Sequence, residues 1–242
     1  MIELFLFVPV VLLGFWLPGL YILHKLHLKL STPEPFALPT VVGLLAFTLV
    51  EYILSWAHAI TLLLPIILLV DYAAARQKLW KFTIEKQHRF PLVIVLLLSL
   101  AFSLPMLVTG IGDTTARYRT DDIIHLGYIN ELIHHFPPDN PGVAGVPLRG
   151  YHFFSDFVIA AIHKLTRLSP IFLYFRGMPL LTALLWGLGT YSLLFIWRKN
   201  TTAALWAVLL VLFGGSFGWW LHLTGHPEVS VRSTFGIDQP AS

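Results

Sequence analysis

Long uninterrupted apolar runs are the feature of this sequence that most limits what the chain can fold into. Several of them approach the roughly 20 residues that an α-helix needs to cross about 30 Å of hydrocarbon. Because no water inside a bilayer can satisfy the backbone, such segments must form helices or a closed barrel. The runs are continuous rather than alternating, which favours helices. The sequence therefore predicts an all-α, polytopic transmembrane helical bundle, with apolar segments at about 4–23, 37–56, 58–74, 91–111, 151–167, 171–197 and 203–224.

The composition agrees with a lipid bilayer as the surroundings of this protein. Only 12% of the 242 residues are charged, about half of the roughly 25% that is usual in soluble domains. No cysteine is present, which excludes disulfides, zinc–thiolate sites and thiol nucleophiles. The net charge of +3 gives no reason to expect nucleic acid as a partner, because the basic residues fall in short loops. The first run begins with Glu3 instead of a basic region and is interpreted as a membrane helix.

Basic residues in the short loops predict the orientation of the bundle. Lys and Arg dominate residues 75–90, and further lysines stand at 25 and 29. Positively charged short loops stay in the cytoplasm, so both regions are predicted to be cytoplasmic. Segment 91–111 then crosses outward and leaves loop 112–150 on the non-cytoplasmic side. We predict a multi-pass protein of a prokaryotic plasma membrane, with residues 1–242 as one transmembrane domain.

The second half of the chain gives conflicting signals about orientation. Two basic pairs both favour the cytoplasmic side, although only one long segment separates them: Lys164 with Arg167, and Arg198 with Lys199. Segment 151–167 is short and contains an aspartate, which is typical of a re-entrant or interfacial piece. We favour a segment that does not cross, whereas a full crossing would leave the second basic pair outside. The polar end of the chain leads us to expect the N-terminal part of a longer protein.

An acidic and aromatic island, Asp113–Tyr151, interrupts the apolar runs. Thr120 followed by Asp121 and Asp122 is typical of a helix start, since acidic side chains are favoured at the positive end of the helix dipole. Apolar residues then recur at helical spacing, until a Pro-Pro pair ends the helix. The predicted amphipathic helix is suited to lying on the membrane surface, with an apolar face of Leu126, Ile129, Leu132, Ile133 and Phe136.

Asp121 and Asp122 are the candidate catalytic residues, and His125 beside them is a candidate for substrate binding. Residues three or four apart share a helix face, so His125 can meet either carboxylate. Two carboxylates beside an imidazole can deprotonate an acceptor, or they can hold a divalent cation. The alternative is that both aspartates only cap the helix and His125 is a bystander. We favour the functional role because charged residues are scarce in this chain and these stand where a helix leaves the bilayer.

Basic and aromatic residues at both edges of the island are candidates for substrate binding. Arg149, Tyr151 and His152 precede the next apolar segment, and Arg119 precedes the acidic pair. An Arg side chain can grip a phosphate through its planar guanidinium group. The alternative is that these residues snorkel or form an aromatic belt at the membrane surface. The prolines and glycines between residues 137 and 147 predict an irregular loop that could line a pocket.

Isolated ionisable residues in the apolar segments are weaker candidates. Glu51, His58 and Asp71 stand near the ends of the second and third segments, where they can be buried partners within the bundle. Asp156 and Arg176 can pair with each other or with backbone groups. The sequence alone identifies no partner for any of these residues.

The order of these features carries a family resemblance. A membrane segment is followed by an external loop in which an acidic pair opens a helix, and then by a Pro-rich stretch and an aromatic–His entry to the next segment. This order resembles the first external loop of the GT-C-type membrane glycosyltransferases, which include protein mannosyltransferases and aminoarabinose transferases. The resemblance covers about residues 91–224 and depends mainly on the sequences RTDDIIHLGYINELI and PLRGYHFF.

The resemblance implies a polytopic helical enzyme that takes a sugar from a polyprenyl-phosphate-linked donor. It implies transfer to an acceptor on the non-cytoplasmic face, with Asp121 or Asp122 as the catalytic carboxylate. Some members of the family need a divalent cation and others do not, so Mg²⁺ or Mn²⁺ held by Asp121 and Asp122 is an open expectation. The chain departs from the family where residues 151–154 read YHFF in place of a common His-Pro-Pro motif, and where three helices precede the loop-bearing pair.

A rival function from another class is a non-enzymatic transporter or lipid-handling membrane protein. In that interpretation the island is a lid or docking loop, and Glu51, Asp71 and Asp156 carry transport. We favour the glycosyltransferase because the polar residues are concentrated in one external loop. A transporter should instead place paired charges and broken helices near the middle of the membrane.

Overall fold

The computed structural model of the chain describes residues 2–28, 30, 33–81, 83–108, 120–149 and 152–214. These stretches form eight helices: α1 (Ile2–Lys25), α2 (Ala37–Trp56), α3 (Leu63–Arg76), α4 (Lys86–Val108), α5 (Thr120–His134), α6 (Phe154–Thr166), α7 (Pro170–Arg198) and α8 (Thr201–Phe213). A 3₁₀ turn, Ile60–Leu62, precedes α3, and α1 and α7 contain π-helical turns at Leu12–Trp16 and Leu173–Gly177. Two strands, β1 (Asp139–Asn140) and β2 (Val143–Pro147), pair in an antiparallel hairpin.

Four of these helices are long and apolar enough to cross a membrane, namely α1, α2, α4 over Lys86–Leu104, and α7. They confirm the predicted all-α membrane fold. The predicted segments 58–74 and 151–167 form shorter helices, α3 with 14 residues and α6 with 13, which span only about 21 and 20 Å at 1.5 Å per residue. The predicted segment 203–224 begins with α8 and continues outside the described residues.

Three connections between helices lie at one end of the bundle, which we call the basic end: the described parts of residues 26–36 and 77–85, and residues 199–200. The Ser192 hydroxyl donates a hydrogen bond to the Pro33 carbonyl over 3.3 Å. Close by, Nδ1 of His88 lies 2.9 Å from the Tyr191 hydroxyl. These contacts hold the end of α7 beside the starts of α2 and α4. Basic residues lie in or next to these connections: Lys25, Arg76, Lys78, Lys81, Lys86, Arg89, Arg198 and Lys199.

The opposite end, which we call the island end, holds α5 and both ends of α6. At the start of α6, the Phe154 ring lies 6.2 Å from the ring of Tyr52, near the end of α2. Just past the end of α6, the Ser169 amide donates a 2.9 Å hydrogen bond to the Glu3 carboxylate at the start of α1. α6 therefore begins and ends on one side of the bundle, as the sequence analysis favoured. α7 carries the chain back, so the basic pair that follows it lies at the basic end.

α5 is a helix over the predicted residues, and its apolar face is buried. Ile129 and Leu132 are almost inaccessible and belong to the same core cluster as the apolar residues of α6. Every residue from Asp156 to Ile162 is buried, so α6 is covered by protein on all sides. The apolar face of α5 packs on α6, whereas the sequence analysis assigned that face to the membrane surface. The loop after α5, predicted to be irregular, contains the β1–β2 hairpin.

α1 and α2 cross with their backbones in contact at Gly19 and Gly43. A Cβ atom on Gly43 would overlap the Phe15 carbonyl, and one on Gly19 would overlap the Pro39 carbonyl. Small residues that permit such an approach are a usual means of packing helices in lipid, because no hydrophobic effect drives the helices together there. This crossing fixes the position of α2, whose C-terminal half packs against the island through Tyr52.

Overpacking a core typically costs about 1–3 kcal/mol. Gly43→Ala is expected to destabilise the bundle by that amount or more, because the new methyl group overlaps a backbone carbonyl, which cannot rotate away. Gly189→Ala is the matched control, since nothing lies within 4 Å of a Cβ atom at that position of α7. Alanine in place of a helical glycine should be neutral or stabilising there. Thermal unfolding in detergent measures both variants. An unfolding midpoint equal to that of the wild type in Gly43→Ala would contradict this crossing.

Candidate functional site

A histidine–carboxylate pair joins α5 to α6 at the island end. His125, in the second turn of α5, places Nδ1 at 2.8 and 3.0 Å from the two carboxylate oxygens of Asp156. Asp156 lies in the first turn of α6, where the helix dipole favours negative charge. The Asp156 side chain has no solvent exposure, and that of His125 keeps 15%. A buried carboxylate at Nδ1 fixes the imidazole ring and leaves Nε2 as its reactive nitrogen.

Asp121 approaches the same imidazole from the other side. Its Oδ2 lies 3.8 Å from Nε2 of His125, and 75% of its side chain is exposed. That separation is too long for a direct hydrogen bond. A substrate with two neighbouring hydroxyls can therefore donate one hydrogen bond to each atom. The predicted sharing of a helix face by Asp121 and His125 is confirmed.

Asp122 has a different partner from its neighbour. The Tyr174 hydroxyl donates a hydrogen bond to Oδ1 of Asp122 over 3.2 Å, and the Tyr174 ring lies 5.8 Å from the imidazole of His125 at an interplanar angle of 30°. Tyr174 belongs to the π-helical turn of α7, and such turns are frequent at functional sites. Tyr174 thus packs beside the histidine and anchors the start of α5 to α7.

Burial dominates the electrostatics of Asp156. It raises the pKa of this carboxyl, while the hydrogen bond and charge of His125 and the charge of His152 act in the opposite direction. The hydrogen bond from the imidazole therefore partly offsets the cost of burying a carboxylate in the protein.

Of the predicted binding residues, His125 lies beside Asp121, and the others lie farther from the acidic pair or outside the described residues. Arg149 and His152 are both exposed. His152 lies near enough to act electrostatically on Asp156, whereas no described hydrogen bond or ion pair joins Arg149 to the acidic pair. Tyr151 and Arg119 lie outside the described residues.

The part of the chain that the structure describes shows no binding site for a divalent cation. Among these residues, no three His, Asp or Glu side chains form a group that could hold a metal ion. Each carboxylate of the acidic pair instead has a protein group near it, His125 for Asp121 and Tyr174 for Asp122.

Sequence reasoning missed two members of the site, Asp156 as the partner of His125 and Tyr174. They lie 31 and 52 residues from their partners in the sequence, so no periodicity connects them. One signal was present, because an aspartate in an apolar segment needs a partner. The sequence analysis offered Arg176 or backbone for that partner, and the structure supplies His125.

Comparisons of the chain with protein-family models, with curated protein sequences and with solved structures gave no match. The geometry of the His125–Asp156 pair and its neighbours is thus the basis for assigning a function.

Proposed function

We propose that the protein is a membrane glycosyltransferase of the GT-C type, which transfers a sugar from a polyprenyl-phosphate-linked donor to an acceptor on the non-cytoplasmic face. The observation that carries the proposal is the His125–Asp156 pair, whose Nε2 faces the exposed Asp121. A general base needs an imidazole that is held in one orientation, and Asp156 holds the ring of His125 through Nδ1. The pair stands at one end of a bundle of apolar helices, where a substrate with a lipid tail can approach it.

The proposed reaction moves one proton and exchanges one bond for another. An acceptor hydroxyl that donates its hydrogen bond to Nε2 of His125 attacks the anomeric carbon of the donor sugar, while a second hydroxyl of the acceptor donates to Asp121. The bond from that carbon to the phosphate oxygen breaks, and polyprenyl phosphate leaves with the bonding electron pair. His125 takes the hydroxyl proton, and Asp156 stabilises the resulting imidazolium. The base is therefore His125, and Asp121 orients the acceptor, whereas the family resemblance implied a carboxylate as the catalytic group.

A lipid-linked donor suits the surroundings of the site better than a nucleotide sugar. A nucleotide sugar needs a phosphate cradle, and the sequence contains no Gly-rich phosphate loop. At the island end, the exposed side chains of Arg149 and His152 precede Phe154, whose ring is exposed and stacks on Phe153 at 5.9 Å. A phosphate can bind to the basic side chains while its hydrocarbon tail stays in lipid.

A polyprenyl-phosphate analogue is expected to raise the unfolding midpoint of the full-length protein in detergent. At 100 times its Kd, a ligand adds about 2.7 kcal/mol to the free energy of unfolding. Arg149→Ala should remove most of this gain because it loses a charge-assisted contact with the phosphate. Arg89→Ala, which removes an exposed arginine at the basic end, should keep the gain. Equal stabilisation by a nucleotide sugar, with no response to the lipid, would contradict the proposed donor.

The proposed function requires the island to face away from the cytoplasm. The chain has no native cysteine, so single cysteines can report on each side. Asn130→Cys on the exposed face of α5 and Gln77→Cys after α3 are both exposed positions. An impermeant thiol reagent added to intact cells is expected to label position 130 and to leave position 77 unlabelled. The reverse pattern would invert the orientation and reject a non-cytoplasmic island.

Buried carboxylates are the observation that favours the alternative, a non-enzymatic transporter. Glu51 is 1% exposed, and its Oε2 has no hydrogen-bond partner among the described residues. Glu51 lies about one and a half turns before the end of α2, and Asp71 about the same distance before the end of α3. Both groups thus stand near the ends of their helices. Transport sites usually lie near the middle of the membrane, so we rank glycosyl transfer first.

A further inference from the structure

A cleft at the island end collects basic side chains. It has a volume of about 410 Å³ and lies between the start of α3 and the ends of α5 and α6. His134, Lys164 and Arg167 contribute its basic groups, and none of its described lining residues is acidic. Its apolar walls include Ile60, Leu63 and Leu165. The cleft therefore combines a cationic lining with a hydrocarbon surface.

Lys164 keeps hydrogen-bonding capacity inside this cleft. Its Nζ donates one hydrogen bond to the Leu132 carbonyl over 2.6 Å, and an ammonium group has three N–H donors. Burial lowers the pKa of Lys164, but the nearby carboxylate of Glu51 opposes this and favours the charged form. Within the described stretches, neither Lys164 nor Arg167 has a carboxylate within the 4.0 Å of an ion pair. Lys164 thus keeps two N–H donors, and Arg167 its guanidinium group, for an anion from outside.

The cleft opens beside side chains that are suited to contact with lipid. Leu62 and Leu64, on either side of the lining residue Leu63, are 51% and 45% exposed. Further along α3, Leu68 and Leu69 are exposed as well. A basic pocket beside lipid can hold an anionic headgroup, because the charged group binds protein while the acyl chains stay in hydrocarbon.

The cleft is separate from the site of the proposed reaction. Lys164 follows Asp156 by about two turns of α6, which is about 12 Å along the helix axis. Leu132, whose carbonyl binds Lys164, likewise follows His125 by about two turns of α5. In a sugar phosphate only one oxygen separates the phosphorus atom from the anomeric carbon. A phosphate held by Lys164 therefore cannot present that carbon to His125, and the cleft must bind a different anion.

We propose that the cleft binds the headgroup of an anionic phospholipid, with its phosphate between Lys164 and Arg167 and with His134 at the edge. The guanidinium group of Arg167 can bind two phosphate oxygens at once, and Lys164 adds a charged donor from the inner wall. The apolar walls and the exposed leucines of α3 hold the acyl chains, which free phosphate lacks. This site is independent of the sugar-transfer function.

Lipid titrations of the purified full-length protein in detergent test the proposal, with the thermal unfolding midpoint as the readout. Phosphatidylglycerol, phosphatidylcholine and inorganic phosphate are added separately to the wild type and to Arg167→Gln, His134→Gln and Arg89→Gln. Arg167, His134 and Arg89 are exposed, so these replacements leave the core intact. Phosphatidylglycerol should raise the midpoint most, and Arg167→Gln should need about tenfold more of it for the same shift. Arg89→Gln should titrate like the wild type.

Two further variants sharpen the comparison. Arg167→Lys retains the charge and should recover part of the lost affinity. Arg149→Ala, which is expected to weaken the effect of polyprenyl phosphate, should leave the phosphatidylglycerol titration unchanged. Equal responses to phosphatidylglycerol and phosphatidylcholine would overturn an anion site, and a full response to inorganic phosphate would overturn its assignment to lipid. An unchanged phosphatidylglycerol titration in Arg167→Gln would overturn the location.

Discussion

Replacing His125 with Gln is expected to slow sugar transfer by about 10²- to 10⁴-fold, the usual contribution of a general acid or base. Gln can still hydrogen-bond to Asp156, so the contact between α5 and α6 is retained. It cannot accept a proton from the acceptor hydroxyl, so the step that activates the acceptor is lost. The transfer rate is measured in membranes that contain equal amounts of the full-length wild-type and variant proteins.

His135→Gln is the matched control for this replacement. His135 follows the last residue of α5, is 43% exposed, and lies 3.5 Å from Glu131 and 3.6 Å from Asp139. It has no contact with the His125 group among the described residues, so the rate should stay near that of the wild type. A normal rate in His125→Gln, or equal losses in the two variants, would reject His125 as the base.

Asp156→Asn is expected to reduce the rate by about 10²- to 10⁴-fold, as His125→Gln does, although Asp156 touches the histidine and not the substrate. Asn has almost the same volume and can still accept a hydrogen bond from Nδ1, but it removes the negative charge that stabilises the imidazolium. The loss should appear in kcat rather than in KM, because Asp156 acts on the histidine and not on the substrate. A purely structural role would lower the amount of folded protein and leave kcat per folded molecule unchanged.

The folding cost of Asp156→Asn should stay below the about 3–5 kcal/mol expected when a buried ion pair loses one partner, because the hydrogen bond persists. Thermal unfolding of the same samples separates this cost from the loss of rate. Asp139→Asn changes a partly exposed aspartate near His135 and should keep the wild-type kcat and KM. If the rate of Asp156→Asn falls only in proportion to its folded fraction, the positioning role of Asp156 is rejected.

Hydropathy and helix-capping residues predict the long helices well, because both are local. α2 runs from Ala37 to Trp56, the bounds that its apolar run predicts, and α5 starts with the predicted Thr120 and its two acidic neighbours. Hydropathy is less informative for α6. An apolar run indicates burial without saying whether lipid or protein provides it, and α6 is buried by protein. Its short length was the better guide.

The candidate site is only partly predictable from the sequence, because some of its contacts join residues that are far apart in the chain. Asp121 and His125 are one turn apart, so their proximity follows from helix geometry alone. The contacts of His125 with Asp156 and of Asp122 with Tyr174 depend on how α5, α6 and α7 pack against one another. That packing results from many apolar contacts between distant parts of the chain, and it cannot be predicted from the spacing of residues in the sequence. The carboxylate that orients the histidine therefore emerges only from the fold.

Release of polyprenyl phosphate from lipid-linked sugars tests the central claim most directly. Proteoliposomes that contain the full-length protein are supplied with a panel of polyprenyl-phosphate hexoses and pentoses and with an extract of cell-envelope acceptors, and polyprenyl phosphate is quantified by mass spectrometry. The His125 mechanism predicts that at least one donor is consumed, and that His125→Gln prevents this while His135→Gln does not. Consumption of no lipid-linked sugar by the wild type, together with solute uptake that persists in His125→Gln, would contradict it.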